Sequence, residues 1–261
     1  MGVSKSDQMA TTSSDRAESN RTAVVRNRIA YVVSRRWFLS IILLSMLWVG
    51  LPWLAPVFMR LGWEKLAEPI YFIYSFQCHQ LPQRSYFLFG ASSSYPLEYI
   101  QAIWKPTNDP MVLRQFIGDA DLGYKVAWSD RMVSAYGSIP LAALLWSPLR
   151  KRIRPLPIWM FALFLLPMAI DGGTHVLSDL AGIGQGFRYT NEWLAALTGY
   201  SLPSSFYVGD ALGSFNSWMR LITGVIFGAG VVWFAFPYLY EGFDENADAI
   251  EAKFKRTGVE L

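Results

Sequence analysis

Four stretches of this chain are apolar for the length of a bilayer, and they limit its folds more than any other feature. They run from Trp37 to about Phe58, from Met132 to Leu149, from Leu156 to Leu177 and from Ser217 to Tyr240. A helix needs about 20 apolar residues to cross the hydrocarbon core. The apolar residues fall in blocks and not at amphipathic spacing. Only 16% of residues are charged, against roughly 25% in soluble domains. The expected fold is therefore all-α: a polytopic membrane protein of about four transmembrane helices plus an interfacial or re-entrant helix.

The extra helix comes from residues 64–90. Ile70 to Phe76 is apolar, Cys78-His79-Gln80 interrupts, and Pro82 and Arg84 precede a second short run, Tyr86 to Phe89. Neither half is long enough to span alone, so this stretch reads as a helix lying in or dipping into the interface. A single kinked crossing over 66–90 is the alternative. Pro52 and Pro56 are expected to kink or end the first span near its far side. Residues 1–36 are polar and basic and read as a disordered cytoplasmic tail. The membrane domain covers 37–240, with external loops at 91–130 (a small folded cap or a long loop) and 178–214. Residues 241–261 form a second cytoplasmic tail.

Charge sets the orientation. The N-terminal 36 residues carry seven Lys/Arg against three acids, and Arg150-Lys151-Arg152-Ile153-Arg154 adds four positive charges and no acid. Basic residues in short segments stay on the cytoplasmic side. Four crossings place the N-terminal tail, the 150–154 link and the C-terminal tail together inside; a fifth would separate the basic clusters. The expectation is a multi-pass protein of the cytoplasmic (plasma) membrane with both termini cytoplasmic. Its partners are the lipid bilayer and a membrane-protein partner, not nucleic acid.

Chemistry-bearing residues are few. The chain has one cysteine and two histidines, which excludes an internal disulfide. Asp171 and His175 are four apart on the third span and share a helix face, which Asp179 continues. An ionisable residue inside a span costs about 2.5–3.5 kcal/mol on insertion scales, so it needs a partner or a cavity. Arg220, on the fourth span, is the expected partner of Asp171. Gly224 and Gly228 lie on its face as a Gly-x-x-x-Gly packing motif. Cys78, His79, Asp171 and His175 are candidate ligand or metal residues, supported by Gln80, Arg84, Arg131 and Arg220. Cysteine, histidine and carboxylate can all hold a divalent metal such as zinc, yet no Cys-x-x-Cys or His-x-x-x-His occurs. Equal depth of the two histidines predicts side chains within about 12 Å, near one helix diameter.

Three pieces carry a family resemblance: Cys78-His79-Gln80-x-Pro82-x-Arg84-Ser85-Tyr86-Phe87-x-Phe89-Gly90, Ile170-Asp171-Gly172-x-Thr174, and Asn216-x-x-x-Arg220-x-x-Thr223-Gly224. Together they resemble the predicted membrane proteins of the domain of unknown function 2085 family, chiefly over 66–90, 129–149, 156–177 and 216–230. The resemblance implies a polytopic helical fold and supplies no activity. The family's Cys-x-Arg-Cys corresponds here to Ser129-Asp130-Arg131-Met132, which keeps the arginine and lacks both cysteines. A multi-cysteine metal or redox centre would therefore lack ligands in this chain.

Two functional readings follow. In one, the candidate residues line a polar site at the outer face that binds a metal or a small anionic ligand. In the other, the protein is a structural or accessory subunit whose polar residues only fix helix packing. No Gly-x-Ser-x-Gly, His-Glu-x-x-His or phosphate loop is present to support an enzyme. A small-solute transporter is a third reading, without a detectable inverted repeat behind it.

Overall fold

A computed structural model describes the backbone of residues 5–258 and 260, with side chains from Arg21 onward. In chain order the elements are α1 (Lys5–Arg60), α2 (Glu64–Ser75), β1 (Ser85–Leu88), α3 (Leu97–Ile103), α4 (Pro110–Leu113), β2 (Gly118–Asp119) and β3 (Gly123–Ser129). There follow α5 (Asp130–Trp146), α6 (Ile158–Asp179), α7 (Phe187–Thr190), α8 (Glu192–Leu197), α9 (Ser204–Tyr207) and α10 (Phe215–Thr257).

Four helical stretches are long and apolar enough to cross a bilayer: Arg21–Arg60, Asp130–Leu149, Ile158–Asp179 and Phe215–Thr257. They coincide with the four expected spans. The 12 residues of α2 extend about 18 Å at 1.5 Å per residue, well short of a hydrocarbon core of about 30 Å. A 3-10 turn at Pro82–Arg84 and β1 follow it, so residues 66–90 do not form one kinked crossing. Helix α1 runs through Pro52 and Pro56 and ends at Arg60, and it begins at Lys5, inside the stretch read as a disordered tail. Polar composition argued against a packed core there, but it does not forbid a helix continuous with a span.

The chain divides into two compact units, one joining the residues up to Leu43 to those from Pro237, the other being Leu44–Phe236. In the first, α1 and the end of α10 pair antiparallel. Trp37 stacks on Phe243, and Ile42, Ala247, Ile250 and Phe254 are buried. Arg35 reaches Asp244, Asp248 and Glu251. These pairs are half-exposed and individually worth little, so apolar contact holds this helix pair.

In the second unit a small antiparallel sheet, ordered β1-β3-β2, joins the helices. Ser85 pairs with Ser129 and Phe87 with Lys125. Gly123 allows the close turn: its φ is +75, in the left-handed region, and a Cβ would meet Leu88 O at 2.2 Å. The core beneath the sheet is built from Ala55, Ala67, Ile70, Tyr71, Tyr74, Val126, Ala127 and Trp128. The Tyr74 hydroxyl donates to Trp48 O and the Tyr71 hydroxyl to Lys125 O, tying α2 to α1 and β3. Residues 85–129 thus fold as a cap, and β3 feeds directly into α5.

A buried charge cluster as the candidate functional site

Helix packing sets the frame of the site. A Cβ at Gly224 would lie 2.2 Å from Ser134 Oγ, and one at Gly228 1.9 Å from Ser138 Oγ. The glycines therefore let α10 press against α5. Ser134 Oγ donates to Arg220 O and Ser138 Oγ to Gly224 O across this contact. Arg220 sits one turn above, and Asp130 lies one turn before Ser134 on the facing helix.

Arg220 consequently bonds Asp130, with Nε 2.7 Å from Oδ1 and 2.9 Å from Oδ2. Its Nη1 donates to Asp210 Oδ1 at 2.9 Å. Asp210 also accepts from Arg84 Nε at 2.8 Å, while Arg84 grips Asp179 with both terminal nitrogens at 2.7 and 2.8 Å. Asp171 accepts from Arg188 Nη2 at 2.6 Å. Arg131 Nη1 is 2.8 Å from Asp171 Oδ2 but off the hydrogen-bonding direction, so charge and not a directed bond holds that pair. Gly172 makes room for it: a Cβ there would be 3.3 Å from Arg131 Nη1.

His175 stands between two carboxylates. Nδ1 is 3.1 Å from the Asp171 carbonyl and 3.4 Å from Arg131 Nη2, and Nε2 is 3.5 Å from Asp210 Oδ1. A neutral ring serves only one face at a time: protonated at Nδ1 it donates to the Asp171 carbonyl, and protonated at Nε2 it donates toward Asp210 and accepts at Nδ1 from Arg131. Two buried asparagines position the loop residues. Asn191, at φ 43, donates to Arg188 O and Tyr207 O, and Asn216 donates to Arg188 O and Gly209 O.

Electrostatics agree with the geometry outside the spans. Burial opposes ionisation of Asp210, but Arg84, the His175 contact and Arg220 outweigh it and hold the carboxyl well below the usual carboxylate range. Burial likewise works against the Arg84 charge, and Asp210 and Asp179 overcome it, keeping the guanidinium protonated.

The expected Asp171–Arg220 pair is corrected. Asp171 takes Arg131 and Arg188, whereas Arg220 takes Asp130 and Asp210. The glycine face turns Arg220 toward α5 and away from α6, and the loop before α10 supplies carboxylate from another direction. Of the candidates, Arg84, Arg131, Asp171, His175 and Arg220 come together. No hydrogen bond or ion pair among the described residues joins Cys78 or His79 to them. His79 is exposed, and Cys78 Sγ accepts from Gln80 N. Gln80 serves a different place: its Nε2 donates to Tyr71 O and Ala127 O, and its carbonyl accepts from Lys125 Nζ at 2.9 Å. Among the described residues, no group of three or more His, Cys, Asp or Glu is arranged to hold a metal.

Four membrane-length helices, three of them joined by buried charge, define a polytopic helical membrane protein. Residues 121–234 match the family model described as a predicted membrane protein, domain of unknown function 2085, which bears out the resemblance read from the sequence. The matched stretch contains the whole cluster except Arg84. An uncharacterised protein of Methanocaldococcus jannaschii is 24% identical over 215 residues, covering 79% of this chain and 95% of the relative. No solved structure matches.

Proposed function

We propose that this membrane protein is a structural or accessory subunit of the plasma membrane. In this reading both termini are cytoplasmic, and the cluster locks Arg84, at the foot of the cap, and the α6–α10 segment to three helices on the outer face. The observation that carries the reading is closure. Each of four arginines, Arg84, Arg131, Arg188 and Arg220, already has an aspartate carboxylate within ion-pair distance, and the four aspartates are all engaged. Such a network is neutral with His175 neutral, so it carries no net positive charge to draw in a phosphate or carboxylate ligand. Orientation rests on the basic residues at 21–36 and 150–154.

The test is composition of the protein extracted in mild detergent. Native mass spectrometry should find a stoichiometric protein partner and no stoichiometric metal. Zinc or another metal at one per chain, lost in His175→Ala, would overturn the structural reading. A second reading, a small anionic ligand near Asp171 and His175, has one observation behind it: the Arg188 Nε–H donor is buried without a hydrogen-bond partner. A retained small molecule released by Arg188→Gln would favour it. Cysteines introduced singly at Asp119 and Lys151 test orientation; an impermeant thiol reagent should label only the former in intact cells.

A further inference from the structure

We infer that the segment between α6 and α10 is a lipid-embedded wedge in the membrane interface and not a water-exposed loop. The outward stripe of α6, Trp159, Leu163, Leu166, Ile170 and Leu177, repeats at three-, four- and finally seven-residue spacing, and each of these residues is exposed. On a membrane span that stripe faces acyl chains. It does not stop where the helix stops. Leu180 is 78% exposed and Leu197 is 76% exposed, with Phe187, Trp193 and Tyr200 half-exposed or more. Trp193 lies edge-on to Phe215, the first residue of α10, with centroids 5.9 Å apart. From there α10 continues the outward apolar surface through Trp218, Ile222 and Val225. The apolar surface is thus continuous from one span, across the connecting segment, to the next.

Charge distinguishes this segment from the cap. Residues 180–214 contain three charged side chains, Arg188, Glu192 and Asp210. Arg188 and Asp210 are buried in the cluster, and Glu192 accepts from the Tyr200 hydroxyl. The cap, by contrast, exposes Glu98, Lys105, Asp109, Asp119 and Asp121. An apolar surface of this extent on a soluble face marks an interaction site. Its Trp and Tyr content with little solvating charge suits the headgroup–acyl boundary, where aromatic rings concentrate. The occupant is therefore the bilayer.

Nitroxide labels at Leu180→Cys and Leu197→Cys, in a Cys78→Ser background reconstituted into phosphatidylcholine–phosphatidylglycerol vesicles, test this. Both should favour collisions with oxygen over a water-soluble nickel chelate severalfold, as a label at Leu163 should, and opposite to one at Asp119. Nickel accessibility matching Asp119 would make the segment an aqueous loop. Low accessibility to both, with spin–spin broadening that grows with protein density, would mean a second copy covers it. Either result overturns the inference. The unlabelled protein gives an independent reading: Trp193→Phe should lower the share of tryptophan emission quenched by lipids brominated near the headgroup, and unchanged quenching would count against it.

Discussion

Residues 44–236 bury charge in two contrasting ways. In the cluster, four guanidinium groups and four carboxylates interlock around His175, and most members bridge two elements. In β3, Lys125 is fully buried, and its Nζ donates to the Gln80 and Arg114 carbonyls. The first arrangement answers each charge with an opposite charge. The second answers a charge only with dipoles. Desolvation opposes both, but only ion pairs combined with hydrogen bonds repay it in full. The cluster should therefore behave as a rigid fastening in which Asp210 and Arg84 stay ionised, and Lys125 as a group whose charge is easily surrendered.

The largest effect should come from Asp210→Asn. This change leaves Arg84 and Arg220 sharing a neutral amide and should cost about 3–5 kcal/mol, the range for breaking a buried pair. Thermal unfolding in detergent measures it. The sign with pH follows from the depressed pKa of this carboxyl, which lies well below the ordinary aspartate value of 3.8: its contribution is complete above that ordinary value and is lost as pH falls through the folded-state value. If Asp210→Asn shifted stability no more than a change at Lys125, the contrast between the two regions would fail.

The next effect concerns what holds the cluster in register. Gly228→Val forces a side chain into the space of Ser138 Oγ, 1.9 Å from even a Cβ. Overpacking of this kind costs about 1–3 kcal/mol. Because α5 carries Asp130 and α10 carries Arg220, the variant should also weaken the coupling between those two residues. A double-mutant cycle of Asp130→Asn with Arg220→Gln should show a coupling of about 0.5–3 kcal/mol, as for contacting residues. The cycle of Asp171→Asn with Arg220→Gln should show less, since those two do not touch. Equal couplings would restore the pairing expected from sequence.

How far the sequence reveals these two regions depends on the signal each residue gives. The spans were legible because a bilayer-length apolar run has few other uses. Asp171, His175 and Arg220 were legible because a charge inside a span demands an explanation. Their partners were not. Asp130 opens α5 just outside the apolar run, and Arg188 and Asp210 lie in a segment that looked like an ordinary loop. The available clue was their scarcity: a lone charge in an otherwise uncharged segment beside a span needs a partner as much as one within it. Lys125 was missed because alternation in a short strand does not say that a lysine is on the inner face. Cys78 and His79 drew notice as rare residue types, and rarity alone does not place a side chain in a site.

The smallest change in stability, and the one that most sharpens the contrast, is expected at Lys125. Burial lowers its ammonium from 10.5 to about 7. Between those values the unfolded chain binds more protons than the folded one, so stability rises with pH across that window. Below it both states hold the proton and the penalty is full; above it neither does. Lys125→Met abolishes the slope. The variant leaves the Gln80 and Arg114 carbonyls without their donor, a cost of about 1–3 kcal/mol. Near pH 7 relief from burying a charge offsets that cost, so the net change there should be small. Unfolding of both proteins in detergent across the window measures the difference, which should grow in favour of the wild type as pH rises. A flat difference would mean that Lys125 keeps its proton as firmly as the arginines do, and that carbonyl dipoles suffice where the cluster uses carboxylates.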